Sequence, residues 1–234
     1  MIIALALVAA LPIAQYNAVI PGLQAWPFSA SAGTAYSLID DAPLFDAPGG
    51  TAVATLPEHD FLGENTVVVA VDRVGDWVRV LTPARQALPS AGPAAAQTSA
   101  WMPRSSLSRP VALETRIMIS VSQGTLTIES PESSRSFTVG VGTRDDPTPT
   151  GVTGYLQARY FDASQRQSNH PVQLTSLHST AADEPFGGSD GGLIGLHYEK
   201  EATGAVSHGC VRLGAAAVAA VNAVPLGTLV TITP

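Results

Sequence analysis

One cysteine, Cys210, is all the thiol in this chain of 234 residues, so an internal disulfide is excluded. No Cys-x-x-Cys or His-x-x-x-His pair is present to mark a metal or redox motif. Charge is sparse as well, at 13% of residues, with 12 basic against 19 acidic side chains and a formal net charge of -7. There is no basic run, which argues against a phosphate-binding surface, and nucleic acid is not an expected partner. Long apolar runs are also missing: residues 2–14 are almost wholly apolar but too short for a comfortable membrane span.

What is present is an ordinary globular composition, 45% hydrophobic, with enough chain for one large domain or two small ones. Residues 2–14 have the length of the hydrophobic region of a secretory signal, and Ala30-Ser31-Ala32 offers a small-residue cleavage site. Residues 1–32 are therefore expected to be a signal peptide or membrane-proximal leader, although no Lys or Arg follows Met1 there. This reading implies export to the cell envelope, periplasm or cell wall, with membrane contact only through the N-terminal segment if it stays uncleaved. A buried N-terminal helix is the alternative.

Short strand-like runs follow, at residues 51–56, 66–71, 77–81 and 100–102, with turns at Asp46-Ala47-Pro48-Gly49-Gly50 and Arg73-Val74-Gly75-Asp76. Their spacing fits a five-strand barrel over residues 33–108. The pattern Gly75-Asp76-Trp77-Val78-Arg79-Val80 resembles bacterial SH3-like modules, which implies either wall binding or a packing spacer. Residues 88–99, rich in Ala, Pro, Ser and Gly, are expected to form a mobile surface loop, and residues 104–110 a linker.

From residue 109 to 234 the pattern is again strands, at 116–121, 125–129, 135–141, 152–160, 172–177 and 228–233. Only residues 215–224, rich in alanine, read as helix. The chain is thus expected to be mainly β, a small barrel followed by a β-rich domain with one or two short helices.

Cys210 lies in Ser207-His208-Gly209-Cys210-Val211-Arg212, with His197 upstream. A thiol flanked by histidine and arginine is expected to have its thiolate favoured, and that is the nucleophilic form. Acyl transfer also requires a base and donors for the developing oxyanion. His197 and His208 are both close enough in sequence to serve as the base. Gly209 permits unusual dihedrals just before the nucleophile, and the amide of Cys210, joined by that of Gly209, would face the oxyanion. Arg212 is suited to a substrate carboxylate or to stabilising the thiolate. Ser207 reads as a hydrogen-bonding structural residue, and His178 as a structural histidine. A zinc site of His197, His208 and Cys210 has acceptable ligand types but lacks paired spacing, so no metal and no cofactor are expected.

The Ser207 to Arg212 segment resembles the active-site signature of the L,D-transpeptidase (YkuD-type) catalytic domain, and Ile194-Gly195-Leu196-His197 resembles that family's upstream histidine segment. Residues 117–128, Val139-Gly140-Val141-Gly142 and Thr148-Pro149-Thr150-Gly151 resemble its opening hairpin, next strand and turn. The resemblance implies that residues 109–234 are the catalytic domain. It also implies that His197 is paired with the thiol and oriented by the carbonyl of Tyr198, with His208 in support.

The implied reaction is peptidoglycan cross-linking through a Cys210 thioester on a tetrapeptide stem donor, with stem peptides as partners and carbapenem β-lactams as inhibitors. An L,D-carboxypeptidase using water as acceptor, or a non-catalytic peptidoglycan-binding module, are the alternatives.

Overall fold

A computed structural model describes residues 10–28, 33–187 and 190–234. Residues 1–9 and the expected cleavage site at 30–32 lie outside the described residues. The chain is mainly β, as expected, and its strands fall into two sheets.

The N-terminal sheet holds β1 (Gln24–Ala25), β2 (Thr34–Ser37), β3 (Ala42–Phe45), β4 (Ala52–Leu56), β5 (Val67–Val74), β6 (Trp77–Thr82), β7 (Thr98–Pro103) and β8 (Val111–Ala112). Their order is β4-β3-β7-β6-β5-β2-β8, with β1 on β7. Alternation sets the inner face: Ala54 and Leu56 of β4, and Val78 and Val80 of β6, point into one cluster. β8 pairs with β2, so this sheet extends a few residues past the expected end of the first module at 108.

Residues 10–28 belong to the same body. Ala14, Ile20 and Leu23 are buried in its core, and the backbone is tied on through Ala14 N–H to Thr55 O at 2.8 Å and Trp26 N–H to Gln97 O at 2.9 Å. The described part of the expected leader is thus packed as core, Ile20 and Leu23 each contributing about 1.5–3 kcal/mol of burial.

The second sheet contains β9 (Arg116–Ser120), β10 (Thr125–Ser130), β11 (Ser133–Gly142), β12 (Val152–Asp162), β13 (Gln167–His178), β14 (Leu193–Tyr198), β15 (Gly204–Ser207), β16 (Val211–Leu213) and β17 (Leu229–Thr233). Their order is β10-β9-β17-β12-β13-β14-β16-β11-β15, and β10 also pairs with the first half of β11, which closes the sheet into a barrel. Helix α1 (Ala215–Asn222) follows β16 directly and lays Ala217, Val218, Ala220 and Val221 on the barrel core. Its C-terminal end has no glycine cap. Instead the Arg159 guanidinium donates to Asn222 O and Val224 O, both at 2.8 Å.

The two sheets meet at a shared apolar cluster of Val69, Leu81, Tyr155 and Leu229. The stretch expected to be a mobile loop, 88–99, is corrected in its second half: Ala96, Gln97, Thr98 and Ser99 are buried. Composition concealed this because Gln97 is satisfied internally. Its Nε2 donates to Thr82 O at 2.9 Å and Thr98 O at 2.8 Å, and its Oε1 accepts from Ser176 Oγ at 2.6 Å across the two sheets.

Candidate active site

Two neighbouring parallel strands build the site. β14 pairs with β16 so that Leu196 faces Val211 and His197 faces Arg212. With a side-chain period of two, Gly195 and His197 share one face of β14, and Cys210 and Arg212 continue that face on the adjacent segment. The thiol therefore stands beside Gly195, diagonal to the imidazole.

Gly195 N–H donates to Cys210 Sγ at 3.3 Å, and the thiol in turn lies 3.6 Å from Leu193 O, an acceptor for its proton. Cys210 is half-buried. Desolvation pushes its pKa up to about 11, with the Asp190 charge adding to the rise, while the Gly195 amide and Arg212 pull it down. The expected favoured thiolate is thus corrected. Sequence neighbours supplied the positive charges, but the barrel wall and Asp190 outweigh them.

His197 is half-buried, and burial lowers its pKa, with Arg212 acting the same way and Glu199 and the Tyr198 carbonyl opposing. Its Nδ1 lies 3.4 Å from Tyr198 O, which as a carbonyl can only accept. That contact keeps the proton on Nδ1 and leaves the Nε2 lone pair available as a base. The same carbonyl accepts from Gln167 Nε2 at 2.8 Å, and the Tyr198 ring stacks on His170 at 4.3 Å between centroids. Both shifts favour the neutral forms, thiol and imidazole.

The turn before Cys210 is fixed by its own polar atoms. Gly209 has a φ of +109°, open to glycine and rarely to other residues. Its amide donates to Ser207 Oγ at 3.3 Å, and the Ser207 hydroxyl donates to Cys210 O. The Gly209 amide, expected as a second oxyanion donor, is therefore engaged by Ser207, which leaves the Cys210 amide as the candidate. Gly209 O accepts from Thr148 Oγ1 at 2.7 Å.

His208 is exposed, and its ring meets Phe186 at 5.7 Å in an edge arrangement. It does not hydrogen-bond the thiol. Arg212 is half-buried, with its Nε unpaired among the described residues. His178 is fully buried, donates from Nε2 to Tyr16 O at 2.8 Å, and is structural as expected.

Sequence reasoning missed Asp190, Thr148 and Tyr160 as participants. Tyr160 belongs to an aromatic row with Phe61 and Tyr16, at centroid distances of 5.9 and 4.7 Å. Burial raises its pKa to about 12, and the charges of Asp162, Tyr16, Cys210 and Asp190 add to that. Asp190 sits in the Asp190-Gly191-Gly192 turn, a visible loop signal without a visible role.

The model of the YkuD L,D-transpeptidase catalytic domain matches residues 114–232, more than half of the chain. The chain belongs to the YkuD L,D-transpeptidase family. The match takes in β9 to β16, most of β17, helix α1 and the residues His197, Cys210 and Arg212.

Among solved structures, the chain is similar to an L,D-transpeptidase from Stackebrandtia nassauensis, at 14% identity and a TM-score of 0.37, covering 52% of this chain and 56% of that one. An Enterococcus faecium L,D-transpeptidase C442S mutant matches at 17% identity and a TM-score of 0.37, covering 51% and 49%. L,D-transpeptidase 3 from Mycobacterium tuberculosis in complex with a faropenem-derived adduct matches at 16% identity and a TM-score of 0.42, covering 72% and 91%. The chain spans about half the length of the first two. The family assignment rests on the YkuD match and not on these likenesses. No curated protein matches.

Proposed function

We propose that the chain is an L,D-transpeptidase that forms peptidoglycan cross-links through a thioester on Cys210. The reading is supported by one arrangement above all: a half-buried thiol between the Gly195 amide and the Leu193 carbonyl, on the sheet face that also carries His197 and Arg212, within a YkuD domain.

His197 Nε2 takes the thiol proton as Cys210 Sγ attacks the carbonyl after the third residue of a tetrapeptide stem. The Cys210 amide stabilises the oxyanion. The C–N bond breaks, the imidazolium returns its proton to the leaving amine, and D-alanine departs. An amine of a second stem then attacks the thioester, loses its proton to His197, and the thiol is restored. Arg212, opposite His197, is suited to the stem carboxylate. A strained β-lactam carbonyl poses the same acyl-transfer problem, so a carbapenem is expected to acylate Cys210. The site of action is then the cell envelope, where the polymer lies.

The experiment is mass spectrometry of products from a purified tetrapeptide donor with and without an acceptor stem. A cross-linked dimer of the stems supports the reading. A tripeptide product alone points to hydrolysis, and an untouched donor overturns the proposal.

A further inference from the structure

The segment between β13 and β14 is closed at its base and held from outside the barrel. Ser179 N–H donates to Gly192 O at 2.7 Å, so the chain leaves the sheet and re-enters it side by side at these two residues. Arg85, which follows β6 of the N-terminal sheet, is only 1% exposed and reaches into that base. Its Nη2 donates to Ser179 O at 2.9 Å and its Nη1 to Asp183 O at 3.1 Å. The Asp183 carboxylate is tied back to the same side, accepting from Ser90 N–H at 2.9 Å and Ser90 Oγ at 2.6 Å.

The main chain of Arg85 holds the N-terminal strap at the same time. Its N–H donates to Ala18 O at 3.0 Å, and its O accepts from Ile20 N–H at 2.8 Å. That fixes Tyr16, whose carbonyl accepts from His178 at the other end of the loop base. One residue therefore gathers the strap, the N-terminal sheet and the loop.

Burying a guanidinium is costly: Arg85 donates to carbonyls, the nearby charges of Asp183, Glu184 and Asp190 only oppose the desolvation, and its Nε is left unpaired among the described residues. Adhesion between the sheets does not explain such a placement, because the apolar cluster around Tyr155 already supplies it. What lies next in the chain does. Gly192, with a φ of +68°, runs so close to the clamp that a Cβ there would sit 3.0 Å from Arg85 Nη2 and 2.6 Å from Asp183 O. Leu193 follows, its carbonyl facing the thiol, and then Gly195, whose amide donates to it. The clamp thus ends one residue before the backbone that cradles Cys210.

We propose that Arg85 is a positioning residue for Cys210: by clamping the chain at Ser179, Asp183 and Gly192 it holds the Leu193 carbonyl, the Gly195 amide and Asp190 in place around the thiol. The N-terminal half is then a working part of the active site and not a spacer. The inference rests on Cys210 being the nucleophile.

The test uses the full chain and three variants, Arg85→Gln, Arg85→Lys and Gly192→Ala. Two readouts are taken, the pH midpoint of Cys210 alkylation by iodoacetamide and the rate of Cys210 acylation by a carbapenem. Loss of the arginine charge, which also faces Asp190, would leave the thiol pKa unchanged or raise it, so a lowered midpoint reports movement of the cradle.

Arg85→Gln and Gly192→Ala are expected to lower the midpoint by about one pH unit, because water relieves the desolvation that is the largest cause of the raised value, ahead of the opposing Gly195 N–H bond. Both should slow acylation about 10-fold or more, as misplacement of reacting groups does. Arg85→Lys, able to serve one carbonyl, should fall between. A folded Arg85→Gln with the wild-type midpoint and acylation rate overturns the proposal, and if that variant does not fold, Gly192→Ala decides by the same two readouts. Should the wild type resist the carbapenem, the transpeptidase reading fails, while the alkylation midpoints still decide the clamp.

Discussion

Thr148 holds the carbonyl of Gly209 with a 2.7 Å hydrogen bond, joining the turn after β11 to the residue just before the nucleophile. The same hydroxyl oxygen accepts from Gly142 N–H at 2.8 Å. Thr148→Val keeps the shape and leaves both backbone groups buried without this partner. Each such loss costs about 1–3 kcal/mol. Urea unfolding should show that drop, and acylation of Cys210 should slow as the Gly209 turn loosens. Unchanged stability and rate would remove Thr148 from the site.

The raised thiol pKa sets a pH signature. With a value of about 11, few Cys210 side chains are thiolate at neutral pH, and the fraction grows about tenfold per pH unit below that value. Alkylation of the free enzyme by iodoacetamide should therefore still be climbing between pH 8 and about 10. A plateau near neutrality would instead mean a preformed thiolate and imidazolium pair.

His197 and His208 should separate cleanly. His197→Ala removes the imidazole whose Nδ1 rests on Tyr198 O, and is expected to slow acylation on the order of 10²-fold to 10⁴-fold. His208→Ala removes an exposed ring that meets Phe186, and should change the rate far less. Pre-steady-state acylation monitored by mass spectrometry compares them directly. A larger loss in His208→Ala reverses the roles.

Buried His178 makes the fold sensitive to acid. Its pKa is pushed down to about 4, mainly by burial, against an ordinary value near 6.5. Between those values the unfolded chain binds the proton and the folded chain does not, so stability rises with pH through the window and is fully present above it. The stake is about 3 kcal/mol from one group. Urea midpoints should fall as pH is lowered from about 7 to about 4, and His178→Gln, which can still donate to Tyr16 O, should flatten that slope.

The N-terminal strap should prove part of the mature protein. Ile20 and Leu23 are buried in the core of the N-terminal sheet, and truncating either to alanine is expected to cost about 2–5 kcal/mol. Intact mass measured on the active enzyme should include residues 10–28. A fully active, stable chain beginning after residue 32 would show that the strap is dispensable.

Much of the barrel was legible because its strands alternate cleanly: Ile117 and Ile119 in β9, and Leu126 and Ile128 in β10, fill one inner face. The helix showed in its alanines, and Cys210, His197 and Arg212 in a compact motif. What stayed hidden was set by contacts distant in sequence. Nothing local marks Arg85 until residues 179 and 183 are brought to it, and Gln97 reads as loop until Ser176 arrives. The thiol's protonation failed for the same reason, since local charges are visible in a sequence and desolvation is not.

The place of β17 has a kinetic consequence. It lies between β9 and β12, paired in parallel with a strand more than a hundred residues earlier, so the ring closes only through a contact of very long loop. Such topologies fold slowly, because chain entropy is lost before the pairing repays it. Until β17 docks, β9 and β12 are raw edges able to pair with other chains. Since β17 is synthesised after Cys210, a nascent chain carries its nucleophile on an open sheet, and yield on refolding should fall steeply with protein concentration.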